Sequence, residues 1–105
     1  MPFFVRPFRR FPVCCHTTYH IGDFEGRGTV WNLSPTGWRL SGDLPLRIDE
    51  ICSLTVTLPT HAEVYVAAGI VRWVRGQEFG LETLVMDDES RTDLNAYLAE
   101  RIACQ

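Results

Sequence analysis

A chain of 105 residues, 46% of them hydrophobic, is sized for one domain with its own core and is too apolar to be disordered. No apolar run approaches the roughly 20 residues of a membrane span. A net charge of −3 counts against a general DNA or RNA binder.

Residues 1–11 read as an irregular arm holding Phe3, Phe4, Phe8 and Phe11, Arg6, Arg9 and Arg10, and prolines at 2 and 7. Its apolar opening is interrupted by arginine and has neither an h-region nor a cleavage site, so it is not a signal peptide, and the chain is expected to be cytoplasmic. Everything before Asp23 carries a charge of +3 and the remainder −6, which makes a cationic arm on an acidic body. Such a distribution suits a small anionic partner better than a long polyanion. All ten basic residues are Arg, each a planar, permanently charged fork.

Pro12 to His20 is rich in β-formers and predicts a first strand. Cys14, Cys15, His16 and His20 invite a metal reading, but His16 and His20 would stand about 13 Å apart in an extended strand, too far to share an ion. No pair of cysteines has C-x-x-C spacing. Gly22 to Gly26 reads as a turn region and Gly28 to Ser34 as a second strand, with Asn32 and Ser34 on one face and Trp31 and Leu33 toward the core. After the turn Pro35-Thr36-Gly37 comes a short third strand, Trp38 to Leu40, in which Trp38 is in phase with Leu40. In Ile51 to Leu58, the apolar Leu54, Val56 and Leu58 alternate with Ser53, Thr55 and Thr57.

Glu63 to Arg75 predicts a long strand. Val64, Val66, Ala68 and Ile70 share one face and Val71 and Trp73 the other, so a β-bulge near Gly69 is expected to switch the buried face. Arg75-Gly76-Gln77 connects to a last strand, Glu78 to Val85, with Phe79, Leu81 and Thr83 on one side. Leu94, Tyr97, Leu98 and Ile102 then follow helical spacing. Asp87-Asp88 places negative charge at the helix start, and Ser90-x-x-Asp93 resembles a capping box. These elements predict a mainly β fold: a six-stranded antiparallel β-barrel with a C-terminal α-helix. The expected organisation is an arm at 1–11, a barrel at 12–86 and a helix at 87–105.

No nucleophile–base pairing, zinc-protease helix or phosphate-binding loop is present in the sequence, which predicts a protein that is not an enzyme. Two features carry binding chemistry instead. Arg6-Pro7-Phe8-Arg9-Arg10 contains Arg-x-x-x-Arg, a cationic clamp. Asn32-Leu33-Ser34-Pro35-Thr36-Gly37 is an Asn/Asp-x-Ser-x-x-Gly pattern, a polar patch at a strand end where a missing Cβ lets a ligand approach.

Together, in this order, and with the Ile70-Val71-Arg72-Trp73-Val74 and Phe79-Gly80-Leu81-Glu82 strands and the closing helix, these features resemble the PilZ domain family. The resemblance implies a barrel that binds cyclic di-GMP and relays the signal to an effector protein, with no further cofactor. It places Arg6 and Arg10, then Asn32, Ser34 and Gly37, against guanine and phosphate, with Arg9, outside the strict pattern, as a third arginine contact. The chemistry agrees, because an Arg fork matches the O6 and N7 acceptors of guanine. Trp38 departs from the family pattern, which often has a second small residue after the motif glycine. The short run before Arg6 suggests a stand-alone adaptor, and a homodimer is compatible with it. The composition of the arm predicts ordering on ligand. Two rival readings are a PilZ-like barrel that has lost its ligand and serves only as an interaction module, and a small RNA- or single-strand-binding barrel, against which the acidic body counts.

Overall fold

The computed structural model describes residues 11–103, with side chains through Arg101. Six strands precede one helix: β1 (Phe11–Ile21), β2 (Phe24–Leu33), β3 (Gly37–Gly42), β4 (Ile51–Thr57), β5 (Glu63–Arg75), β6 (Glu78–Met86) and α1 (Asp88–Ala103). All neighbours pair antiparallel, and the order β1-β2-β3-β6-β5-β4 closes on itself through β1 and β4. Closure removes the edges that a six-stranded open sheet would leave unpaired. The arginines Arg6, Arg9 and Arg10 lie outside the described residues.

The barrel is filled by the inward members of each alternation. Leu54, Val56 and Leu58 from the β4 segment meet Val64 and Val66 of β5, Val30, Trp38 and Leu40 of β2 and β3, and Phe79 and Leu81 of β6. Tyr19 crosses this interior edge-on to Phe79, with ring centroids 5.9 Å apart. Its hydroxyl donates to the Leu44 carbonyl at 2.6 Å and accepts from the Leu44 amide at 2.9 Å, so the buried phenol is paired in both senses. Trp38 is buried, as its phase with Leu40 predicts, and its indole N–H donates to Thr83 Oγ1 at 2.9 Å.

The turn between β1 and β2 is shorter than the glycines suggest. Ile21 pairs with Phe24 across Gly22-Asp23, with Gly22 at φ +55°, and Gly26 and Gly28 are strand residues. Their role is close approach. A Cβ at Gly26 would stand 2.4 Å from Tyr19 Cζ, and one at Gly28 would stand 1.8 Å from the Ser41 carbonyl oxygen.

Two outward tryptophans correct the sequence reading. Trp31 does not face the core. The register of β2 against β3 slips between Val30 and Asn32, so Trp31 is an extra residue, 44% exposed, with its N–H donating to Ser41 Oγ at 2.8 Å. In β5 the buried face does switch, from Val64 and Val66 to Val71, across register shifts around Ala68 and Gly69. A further shift between Val71 and Trp73 then turns Trp73 outward, so it does not share the buried face of Val71. Bulges of this kind re-aim side chains on barrel surfaces.

α1 seats Leu94, Tyr97 and Leu98 against the barrel; Ile102, the next position in that spacing, lies beyond the described side chains. The helix cap is Asp87, not the Ser90-x-x-Asp93 pair. Asp87 Oδ1 accepts from the Ser90 amide at 3.0 Å, while Ser90 Oγ accepts from the Tyr65 amide at 2.9 Å and so ties the helix to β5. No helix among the described residues is long and apolar enough to cross a membrane.

Candidate functional site

The register brings four residues into one outward row across four strands. Asn32 of β2 pairs with Arg39 of β3, Arg39 with Gly80 of β6, and Gly80 with Trp73 of β5. At strand spacings of about 4.8 Å the row spans about 14 Å of surface. Trp73 lies against Gly80, where a Cβ would come within 2.0 Å of the indole Nε1. The indole therefore rests on bare backbone and remains 37% exposed. That is the geometry of a stacking platform.

Trp73 borders two hollows. One, of about 370 Å³, is lined by Arg39, Trp73, Arg75 and Glu78. The other, of about 230 Å³, is lined by Thr36, Gly37, Arg72, Trp73, Gly80, Leu81 and Glu82. Each contains an arginine–carboxylate pair. Arg39 Nη2 meets Glu78 Oε1 at 2.6 Å, and Arg72 Nη2 meets Glu82 Oε1 at 3.0 Å. Both pairs are partly exposed, and ion pairs in that setting contribute about 0–1 kcal/mol. Their arginines can change partners at little cost. Arg75 has no carboxylate within ion-pair distance among the described residues.

The sequence motif occupies the β2–β3 end of this surface, and its residues do different things. Asn32 is half-buried in the outward row. Ser34 is buried, and its hydroxyl accepts from the Gly37 amide at 3.0 Å and the Thr36 amide at 3.4 Å. The Ser34 amide in turn donates to the Gly37 carbonyl at 2.9 Å. The serine thus fixes the turn that sets Thr36 and Gly37 at the rim of the second hollow. The structure brings Asn32 and Gly37 to the same face as Trp73, Arg39, Arg72 and Arg75; the predicted arginine clamp falls outside the described residues.

The sequence matches the PilZ domain family over residues 4–100. The chain belongs to that family. A solved structure, the Bacillus subtilis inhibitor of motility MotI/DgrA, superposes with a TM-score of 0.80 at 18% identity, over 98% of this chain and 53% of that one. The likeness is one of fold, and this chain spans about half the length of that protein. No curated protein matches the sequence. Within the PilZ frame, sequence reasoning found the turn motif and missed Trp73, Arg39 and Glu78. A usable signal was present in Trp73 and Gly80. Gly80 falls out of phase with the buried Phe79 and Leu81, opposite a tryptophan on the adjacent strand of the hairpin; the phase of Trp73 itself matches the buried Val71, and only the register shift between them turns the ring outward.

Among the described residues no cluster of His, Cys, Asp or Glu is placed to hold a metal ion.

Proposed function

We propose that this PilZ domain is a non-catalytic receptor for cyclic di-GMP that acts in the bacterial cytoplasm and passes the signal to a partner protein. The observation that carries the reading is the surface shared by the Asn32–Gly37 turn and Trp73. A hydrogen-bonding patch and an exposed indole face stand on one side of the barrel, with Arg39, Arg72 and Arg75 between and beside them. A ligand made of two purines and two phosphates calls for those parts. Aromatic faces stack bases, and Arg forks pair with phosphate oxygens or with guanine O6 and N7. The Arg-x-x-x-Arg motif supports adding Arg6 and Arg10 to this site, with Arg9 beside them.

Calorimetric titration with cyclic di-GMP tests the proposal. Wild type should bind. Arg6→Ala, Arg10→Ala and Trp73→Ala should each weaken binding about 10- to 100-fold, the range set by losing one charge-assisted or stacking contact. Absence of binding to the wild-type chain would overturn the reading.

A further inference from the structure

The larger hollow beside Trp73 holds three kinds of chemistry within one small space. Trp73 offers a flat apolar face, Arg39 and Arg75 offer only hydrogen-bond donors, and Glu78 offers only acceptors. Arg75 and Glu78 face each other across the β5–β6 hairpin, two residue pairs along from the Gly80–Trp73 pair and so on the same face. Arg39 uses a single oxygen of the carboxylate: its Nε donates to Glu78 Oε1 at 2.8 Å and its Nη2 stands 2.6 Å from the same atom. Glu78 Oε2 has no hydrogen-bond partner among the described residues.

We propose that this hollow is a guanine-base site and that Glu78 is the residue that selects the base. The inference rests on the cyclic di-GMP reading and extends it to residues outside the turn motif and the arginine clamp. A base stacked on Trp73 presents one edge to the carboxylate. Guanine offers N1–H and the N2 amino group on that edge, two adjacent donors for an acceptor-only partner. Adenine places an N1 lone pair there, which the carboxylate repels. The neighbouring O6 and N7 of guanine are acceptors, and Arg39 and Arg75 supply forks for them. The polarity of the site therefore matches guanine along both edges and opposes adenine at N1, which faces the carboxylate, and at its 6-amino group, which faces the arginines.

Size agrees. A volume of about 370 Å³ lies near the lower end of small-molecule sites, which run from about 300 to 1,000 Å³. It accommodates a base with its sugar and leaves the rest of the dinucleotide to extend along the outward row toward Asn32. The exposed Arg39–Glu78 pair does not resist this, because Arg39 can keep its contact to Oε1 while Oε2 accepts from the base.

The test compares cyclic di-GMP with its hypoxanthine analogue cyclic di-IMP, which lacks the N2 amino group, by calorimetry on the full chain. Wild type should bind the analogue about tenfold more weakly, the loss expected for one hydrogen bond to a charged group. Glu78→Gln keeps the shape and replaces one acceptor with a donor. It should weaken cyclic di-GMP binding about tenfold or more and shrink the difference between the two ligands. Glu63→Gln, at the opposite end of β5 from Trp73, should leave that difference in place. Circular dichroism and urea midpoints verify that both variants are folded.

If Glu78→Gln binds cyclic di-GMP as well as or better than wild type, or retains the full preference over the analogue, Glu78 only holds Arg39 and the assignment of the hollow fails while the receptor reading stands. If wild type binds neither nucleotide, both readings fall.

Discussion

Trp73 and Gly80 are partners on adjacent strands, and the indole occupies the space that a side chain at position 80 would take. Gly80→Ala should therefore displace the ring. Overpacking of this kind costs about 1–3 kcal/mol, and the displaced indole should also weaken cyclic di-GMP binding. Urea denaturation, tryptophan emission and calorimetry read the three effects. In a Trp73→Ala background the stability cost of Gly80→Ala should largely vanish, because the ring it meets is gone. A cost unchanged by the loss of Trp73 would show that the glycine is required for the backbone instead.

The interior predicts a sensitivity to base. Burial pushes the Tyr19 phenol and the Cys15 and Cys52 thiols up, Cys52 to about 11. The folded state favours the neutral forms, whereas the unfolded chain ionises Cys at about pH 8.5 and Tyr at about pH 10. A raised folded pKa gives stability that is complete below the unfolded value and lost as pH rises through the folded one. The urea midpoint should be flat to about pH 8 and fall between about pH 9 and 11. Cys52→Ala should soften that fall, and an identical slope in the variant would remove Cys52 as a cause. The same burial predicts that Cys14, which is exposed, reacts with a thiol reagent in the native state while Cys15 and Cys52 react only on unfolding.

The sequence reading succeeded where one rule acted alone. The strict alternation of Leu54, Val56 and Leu58 defined a strand and its buried face, and the helical spacing of Leu94, Tyr97 and Leu98 defined the helix and its seat. It failed where closure of the barrel imposed irregularity. Trp31 and Trp38 look alike in sequence, yet the slip between Val30 and Asn32 sends one out and leaves the other in. A bulge is set by pairing with strands distant in the chain, and no local pattern around Trp31 announces it. Gly26 reads as a turn residue and Gly28 as no more than the opening of a strand, because a sequence does not show that Tyr19 and Ser41 press against them. The turn motif at Asn32, Ser34 and Gly37 was legible, being local. The partnership of that turn with Trp73 was not, because it depends on β3 pairing with β6 and β6 with β5.

The start of α1 gives an acid counterpart. Hydrogen bonds from the Ser90 side chain and amide hold the Asp87 carboxyl below its ordinary value. A depressed folded pKa gives stability that is present above the unfolded value of about 3.9 and lost as pH falls through the folded one. Asp87→Ala should lower the melting temperature at neutral pH and flatten the acid limb of the stability profile below about pH 4. Asp87→Asn, which also caps, should recover most of the melting temperature without restoring the pH dependence. Equal acid limbs in wild type and Asp87→Ala would place the acid sensitivity elsewhere.

Ser34 separates a turn-holding role from a ligand-contacting one. Its hydroxyl accepts from the buried Gly37 amide at 3.0 Å, and the pair closes the loop that carries Thr36 and Gly37 to the site. Ser34→Ala leaves that amide without its acceptor, and a buried unsatisfied donor costs about 1–3 kcal/mol. The urea midpoint of the ligand-free protein should fall accordingly, before any nucleotide is added. Binding should weaken as well, through a turn that is less firmly placed. Ser34→Thr keeps the acceptor and adds a methyl group in a buried position, so it tests the same hydroxyl under crowding. Amide hydrogen exchange distinguishes the two roles directly: in Ser34→Ala the Gly37 amide should exchange faster in the free protein, and slower exchange on adding cyclic di-GMP should still appear at the β3 strand. If the ligand-free stability and the Gly37 exchange rate are unchanged while affinity collapses, the hydroxyl serves the ligand and not the turn.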